Sequence, residues 1–201
     1  MRRIVLCRHA DPEADARGRC YGSLDVGLSP EGRARAEQLA RQLASLEVDA
    51  VYASPRRRAL ATAEPVAAAA ALELRVHDAL RELDFGELEG LLYDEIAATR
   101  PELYQAWMER PTSVAFPGGE SFADLKTRAL EALDAIRRTH RCAVVVTHGG
   151  VVRAALAGWL SLPDENVFVL GQDYCGVTIV DWFDDTPLIR LVNGTAHTIA
   201  L

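Results

Sequence analysis

The chain has 201 residues, with 22 lysines and arginines against 29 acids and a formal charge of −7. With 49% hydrophobic and 25% charged residues it is composed like an ordinary globular chain and not a disordered one, and its acidic balance argues against a generic binder of nucleic acid or of anionic membranes. No apolar run approaches the ~18 residues of a spanning helix, and Met1–Leu6 is too short for a signal-peptide core, so a cytoplasmic protein with no membrane partner is expected.

Ile4–Cys7 reads as a buried strand. Ser29-Pro30-Glu31 is a helix start, with a hydroxyl cap, proline in the first turn and an acid on the positive end of the dipole. Ala36, Leu39, Ala40 and Leu43 then recur at helical spacing. A second strand is expected over Ala50–Ala53, and an alanine-rich helix over Arg57–Ala71 that Pro65 should kink or interrupt. Leu72–Val76 is a weaker strand. The stretch from about Asp84 to Gly119 departs from the alternation and carries Tyr93, Tyr104, Trp107 and Phe116, which suggests a helical excursion over the sheet edge. Phe122, Leu125, Ala129, Leu133 and Ile136 mark one face of a long helix beginning near Ser121. Ala143–Val146 is a β-branched run of the kind covered on both sheet faces. A short helix over Val151–Leu160 follows, then strands Gly176–Phe183 and Leu188–Val192 joined by a hairpin at 184–187. This order implies an α/β sandwich with a mostly parallel sheet. One domain, 1–201, with a small lid insertion at about 84–119, is expected.

Ligands of open α/β sheets bind outside the carboxyl ends of the strands. Two of the best strands end in histidine, at Arg8-His9 and at Thr147-His148-Gly149-Gly150. The glycine pair lets backbone approach a ligand where a helix begins, a geometry suited to anions. Lys126 is the only lysine beside 21 arginines; either composition bias or a use for the planar guanidinium fork accounts for that. Arg56-Arg57-Arg58 follows the second strand at a helix start, where positive charge opposes the dipole; it is either a solvated face or a seat for a phosphate dianion. Glu82 and Asp84 follow the third strand. Together these supply a histidine nucleophile toward phosphorus, guanidiniums for the phosphoryl oxygens and a carboxylic acid for the leaving alkoxide, a scheme that needs no metal and no cofactor. The chain has no G-x-x-x-x-G-K-[ST], G-x-G-x-x-G or H-E-x-x-H motif, and Glu13 stands where a cysteine phosphatase built on Cys7 would need arginine. Cys7, Cys20, Cys142 and Cys175 form no C-x-x-C pair.

Four motifs in order resemble the histidine phosphatase (phosphoglycerate mutase-like) superfamily: Leu6-Cys7-Arg8-His9-Ala10, Ser54 through Ala63, Glu82 through Gly90, and Val146-Thr147-His148-Gly149-Gly150. The resemblance runs from Leu6 to about Arg190. It implies a three-layer phosphoglycerate mutase-like fold, a phosphohistidine on His9, a proton donor in Glu82, and a phosphate pocket made by Arg8, Arg58, Gly149 and His148. It also selects Arg58 from the arginine run and implies a small phosphorylated substrate. Cys20 through Ser29 is most similar to the α-ribazole phosphatase branch of cobalamin biosynthesis.

Two positions depart from the pattern. Ala10 replaces a glycine and should restrict the backbone, and Asp15 replaces an asparagine near the phosphate, where an ionised carboxylate would repel a dianion. A mutase-type phosphotransferase and a catalytically silent phosphate-binding module are the alternatives. Against the mutase, the 84–119 stretch contains only Arg100 and Arg110 as cations for a second acidic group.

Overall fold

The computed structural model describes residues 1–16 and 18–195; Arg17 and the end of the expected domain, 196–201, lie outside the described residues. Six strands form one sheet in the order β3-β2-β4-β1-β5-β6. β1 (Arg2–Arg8), β2 (Ala50–Ala53), β3 (Leu74–Val76) and β4 (Cys142–Thr147) run parallel; β5 (Val177–Phe183) is antiparallel to β1, and β6 (Thr186–Gly194) is antiparallel to β5. The sheet is mostly parallel, as expected.

Strand alternation sets the layers. Val5, Cys7, Val144 and Val146 pack with α1 (Pro30–Leu43) and α2 (Arg57–Ala69) on one face. Ile4, Leu6, Ala143 and Val145 pack with α5 (Phe122–Thr139) and α6 (Gly149–Leu160) on the other. Both faces of β4 are therefore covered, which is why its sequence is a continuous apolar run. The cap foreseen at Ser29 is present, its Oγ accepting from Gly32 N at 3.0 Å, and at the expected start of α5 Ser121 and Asp124 close a capping box.

The 84–119 stretch holds α3 (Tyr93–Thr99) and α4 (Pro101–Glu109). Leu88, Ile96, Trp107 and Phe116 pack against Phe122 and Leu125 of α5 and Val151 and Ala154 of α6 as a third apolar cluster. Trp107 and Phe116 are core residues.

Some boundaries differ from expectation. α2 runs unbroken through Pro65, because its buried face of Ala59, Ala63, Val66 and Ala67 holds it to the sheet despite the missing donor. α6 begins at Gly149, with both glycines in its first turn and His148 as the capping residue. The β5–β6 turn is tighter than 184–187: Phe183 pairs with Thr186, and Asp184 takes the left-handed conformation (φ 54°). Pro187 sits on the edge strand, where no ladder donor is required of it. Among the described residues, no helix is long and apolar enough to cross a membrane.

Candidate active site

Because β1 and β4 are neighbours with Arg8 opposite Thr147, their terminal histidines meet. The His9 amide donates to the Thr147 carbonyl at 2.8 Å, and the two imidazole centroids lie 5.2 Å apart, edge to face. Ser54, one residue past β2, anchors its amide on the Val146 carbonyl (3.0 Å) and places its Oγ 2.7 Å from His148 Nε2. The Thr147 hydroxyl donates to the Leu80 carbonyl at 2.7 Å, which ties the Glu82 segment to the same edge.

His9 Nδ1 lies 2.7 Å from the Ala10 carbonyl. A carbonyl only accepts, so Nδ1 carries the proton and Nε2 keeps its lone pair. Ala10 lies outside the left-handed region, so its methyl adds no backbone strain, and its amide donates to Thr62 Oγ1 at 3.0 Å. The expected restriction at Ala10 has no cost here.

Arg58 is fully buried. Its terminal nitrogens donate to the Leu24, Tyr21 and Gly22 carbonyls at 2.8–2.9 Å. Arg8 donates to the Gln172 carbonyl and lies 3.9 Å from the Tyr174 ring centroid, while the Tyr174 and Tyr21 hydroxyls bond each other at 2.7 Å. Arg8 Nε, Arg58 Nε and His148 Nδ1 are buried without a hydrogen-bond partner. Buried donors of this kind are costly unless an acceptor meets them. Burial, then Arg58 and Arg8, pushes His9 well below the usual histidine range; His148 is pushed the same way, first by burial and then by Arg58. Both imidazoles are neutral near neutral pH.

Glu82 is held by two backbone amides, Leu83 N on Oε1 (2.9 Å) and Gly150 N on Oε2 (3.1 Å). Gly150 is required for this approach, since a Cβ there would lie 2.2 Å from Glu82 Oε1. Arg8, His9, Tyr21, Glu82, Phe85 and Tyr93 help to line a cavity of about 150 Å³. A second cavity of about 150 Å³ adjoins it across Glu82, Phe85 and Tyr93, and adds Trp107, Phe122, Arg153 and Phe168. Among the described residues no group of three or more His, Cys, Asp or Glu is placed to hold a metal ion.

The structure thus gathers Arg8, His9, Arg58, Glu82, His148 and Gly149 at one sheet edge. Asp84 instead serves a turn, accepting from Gly86 N and Ser23 Oγ. Arg57 is exposed and its amide donates to Asp25, whereas Arg56 acts on His148 through its charge. Asp15 is exposed in the short 3-10 helix Ala14–Ala16; its carbonyl accepts from Arg19 Nε at 3.0 Å, and Arg19, not Asp15, helps to line the cavity. Sequence reasoning missed Tyr174 and Gln172, which lie in an aperiodic loop with no motif, and Arg153, which reads as an ordinary helix residue.

These features and their relatives define the class of protein: a phosphatase. The chain belongs to the histidine phosphatase superfamily, branch 1, matching it over residues 4–195. It is 33% identical over 199 residues to phosphoserine phosphatase 1 of Hydrogenobacter thermophilus, covering 98% of this chain and 94% of that one. Bacillus stearothermophilus YhfR superposes with a TM-score of 0.92 at 29% identity, over 99% of this chain and 100% of that one. The α-ribazole phosphatase of Shigella flexneri shares the fold, with a TM-score of 0.86 at 24% identity over 96% of each chain.

Proposed function

We propose that this phosphatase hydrolyses small phosphomonoesters without a metal ion, through a phosphohistidine on His9. The observation that carries the reading is the bond from His9 Nδ1 to the Ala10 carbonyl, which leaves Nε2 unprotonated beside the half-buried Arg8 and the buried Arg58 guanidiniums. The phosphate oxygens take the free Nε donors of Arg8 and Arg58 and the Nδ1 face of His148, with Gly149 allowing their approach. His9 Nε2 attacks phosphorus, an N–P bond forms as the ester P–O bond breaks, and Glu82 gives its proton to the departing alkoxide. Water then gives a proton to the Glu82 carboxylate and attacks phosphorus; the N–P bond breaks and inorganic phosphate leaves. The site's guanidiniums neutralise charge in both transition states.

The 84–119 span serves as the lid over the leaving group, within one domain. α-Ribazole 5′-phosphate is a second, finer reading of the substrate, supported by the Cys20–Ser29 motif and by the Phe85, Tyr93, Trp107 and Phe122 rings along the second cavity. The four free thiols support a reducing, cytoplasmic setting. Quenching turnover with labelled substrate at alkaline pH should trap an acid-labile adduct that His9→Ala lacks, and EDTA should leave the rate unchanged. Turnover at the native rate by His9→Ala, or loss of activity in EDTA, overturns the mechanism.

A further inference from the structure

Arg153 lies one turn into α6 and lines the second cavity. Its Nε donates to the Leu170 carbonyl at 3.0 Å and its guanidinium lies 5.3 Å from the Phe168 ring centroid, so its orientation is fixed. No carboxylate forms an ion pair with it among the described residues. Burial lowers its proton affinity and Glu82 opposes that, yet a guanidinium stays charged throughout the ordinary pH range. A fixed, charged fork that lines a cavity beside aromatic side chains, and that no carboxylate of the described residues meets at ion-pair distance, is placed to receive a ligand carboxylate.

The position of that fork defines which part of a substrate it meets. Glu82 lines both cavities, and as proton donor it must touch the ester oxygen. With the phosphate at His9, the rest of the leaving group passes Glu82 into the cavity of Trp107, Phe122 and Arg153. Resting on the phosphatase reading above, we propose that Arg153 determines specificity by binding a carboxylate on the leaving group, so that preferred substrates are phosphomonoesters of hydroxy acids. The aromatic walls pack the carbon chain, and the fixed fork receives the acid in a bidentate manner.

A matched pair of esters tests this. 3-Phosphoglycerate and glycerol 3-phosphate differ by a carboxylate against a hydroxymethyl group. The native enzyme should favour the acid in kcat/KM by about tenfold or more. Arg153→Met should bring that ratio to about one, Arg153→Lys should restore part of it, and vanadate inhibition should change far less than the ratio. A ratio unchanged in Arg153→Met overturns the proposal, as does a native preference for glycerol 3-phosphate or α-ribazole 5′-phosphate. Vanadate affinity falling in step with both esters makes Arg153 a phosphate ligand and also overturns it. p-Nitrophenyl phosphate separates the two readings: native turnover of it without acid preference refutes this inference alone, whereas no turnover of any ester refutes the phosphatase mechanism and this with it.

Discussion

Gly150→Ala tests how tightly Glu82, the proposed proton donor, is positioned. The new methyl would sit 2.2 Å from Glu82 Oε1, roughly 1 Å inside van der Waals contact, and 3.3 Å from Leu125 Cδ2. The carboxylate cannot simply rotate, because Leu83 N holds one oxygen and Gly150 N the other. It must withdraw by about 1 Å, leaving a backbone amide unpaired at a cost of ~1–3 kcal/mol, against a gain of ~0.5–1 kcal/mol from alanine in a helix. The net loss of stability is therefore about 1–2 kcal/mol, and the variant stays folded. A misplacement of ~1 Å in a catalytic group costs about 10²-fold, within the range that general acid catalysis contributes. Turnover of an alkyl phosphate should fall by about that factor, while p-nitrophenyl phosphate, whose leaving group hardly needs a proton, should lose much less. Alkyl turnover within about threefold of native in a folded Gly150→Ala protein would refute the reasoning.

Further outcomes follow from the same geometry. His9 and His148 are held below the unfolded histidine value of ~6.5, so the unfolded chain takes up protons first; stability is full above that pH and falls below it by up to ~1.4 kcal/mol per histidine per pH unit. Phosphate-free melts between about pH 7.5 and 5.5 should show a falling Tm, with a shallower slope in His148→Gln; equal slopes would count against the buried neutral imidazole. Glu89 accepts from Ser23 N, Leu24 N and Phe85 N, and thereby holds the loop whose carbonyls grip Arg58. Glu89→Ala should weaken vanadate inhibition by about tenfold or more, with partial recovery in Glu89→Gln, and undiminished inhibition would dismiss that link. Arg128 bonds the Ala79, Arg81 and Glu82 carbonyls and Glu120. Arg128→Met should destabilise the protein by ~3–5 kcal/mol in urea titration, and a loss below ~1 kcal/mol would show those contacts to be weak.

Much of the scaffold was legible because its signals are local. The β-branched run at Ala143–Val146, the cap at Ser29 and the apolar spacing from Phe122 to Ile136 announce elements from a few neighbouring residues. Motif resemblance singled out Arg58 where charge alone could not choose among three arginines. What stayed hidden depends on partners far along the chain. Tyr174 and Gln172 reach Arg8 only because an irregular loop returns beside β1. Pro65 spans an intact helix because tertiary burial outweighs its local preference. The function of Gly150 is visible only when the Glu82 carboxylate is in place.

The insertion of β4 between β1 and β2 also bears on biosynthesis. As the chain emerges from the ribosome, β1 has no strand to pair with until β4 and β5 have been made, because these are its two neighbours. Both its edges remain open through most of translation, and an unpaired apolar edge invites wrong pairing. His9 and His148 are brought together by the same late event, so on the proposed mechanism a nascent chain is inert until synthesis has passed His148 and the Gln172–Tyr174 loop. Truncations before that point should yield inactive fragments that need chaperoning, with no graded series of weak enzymes.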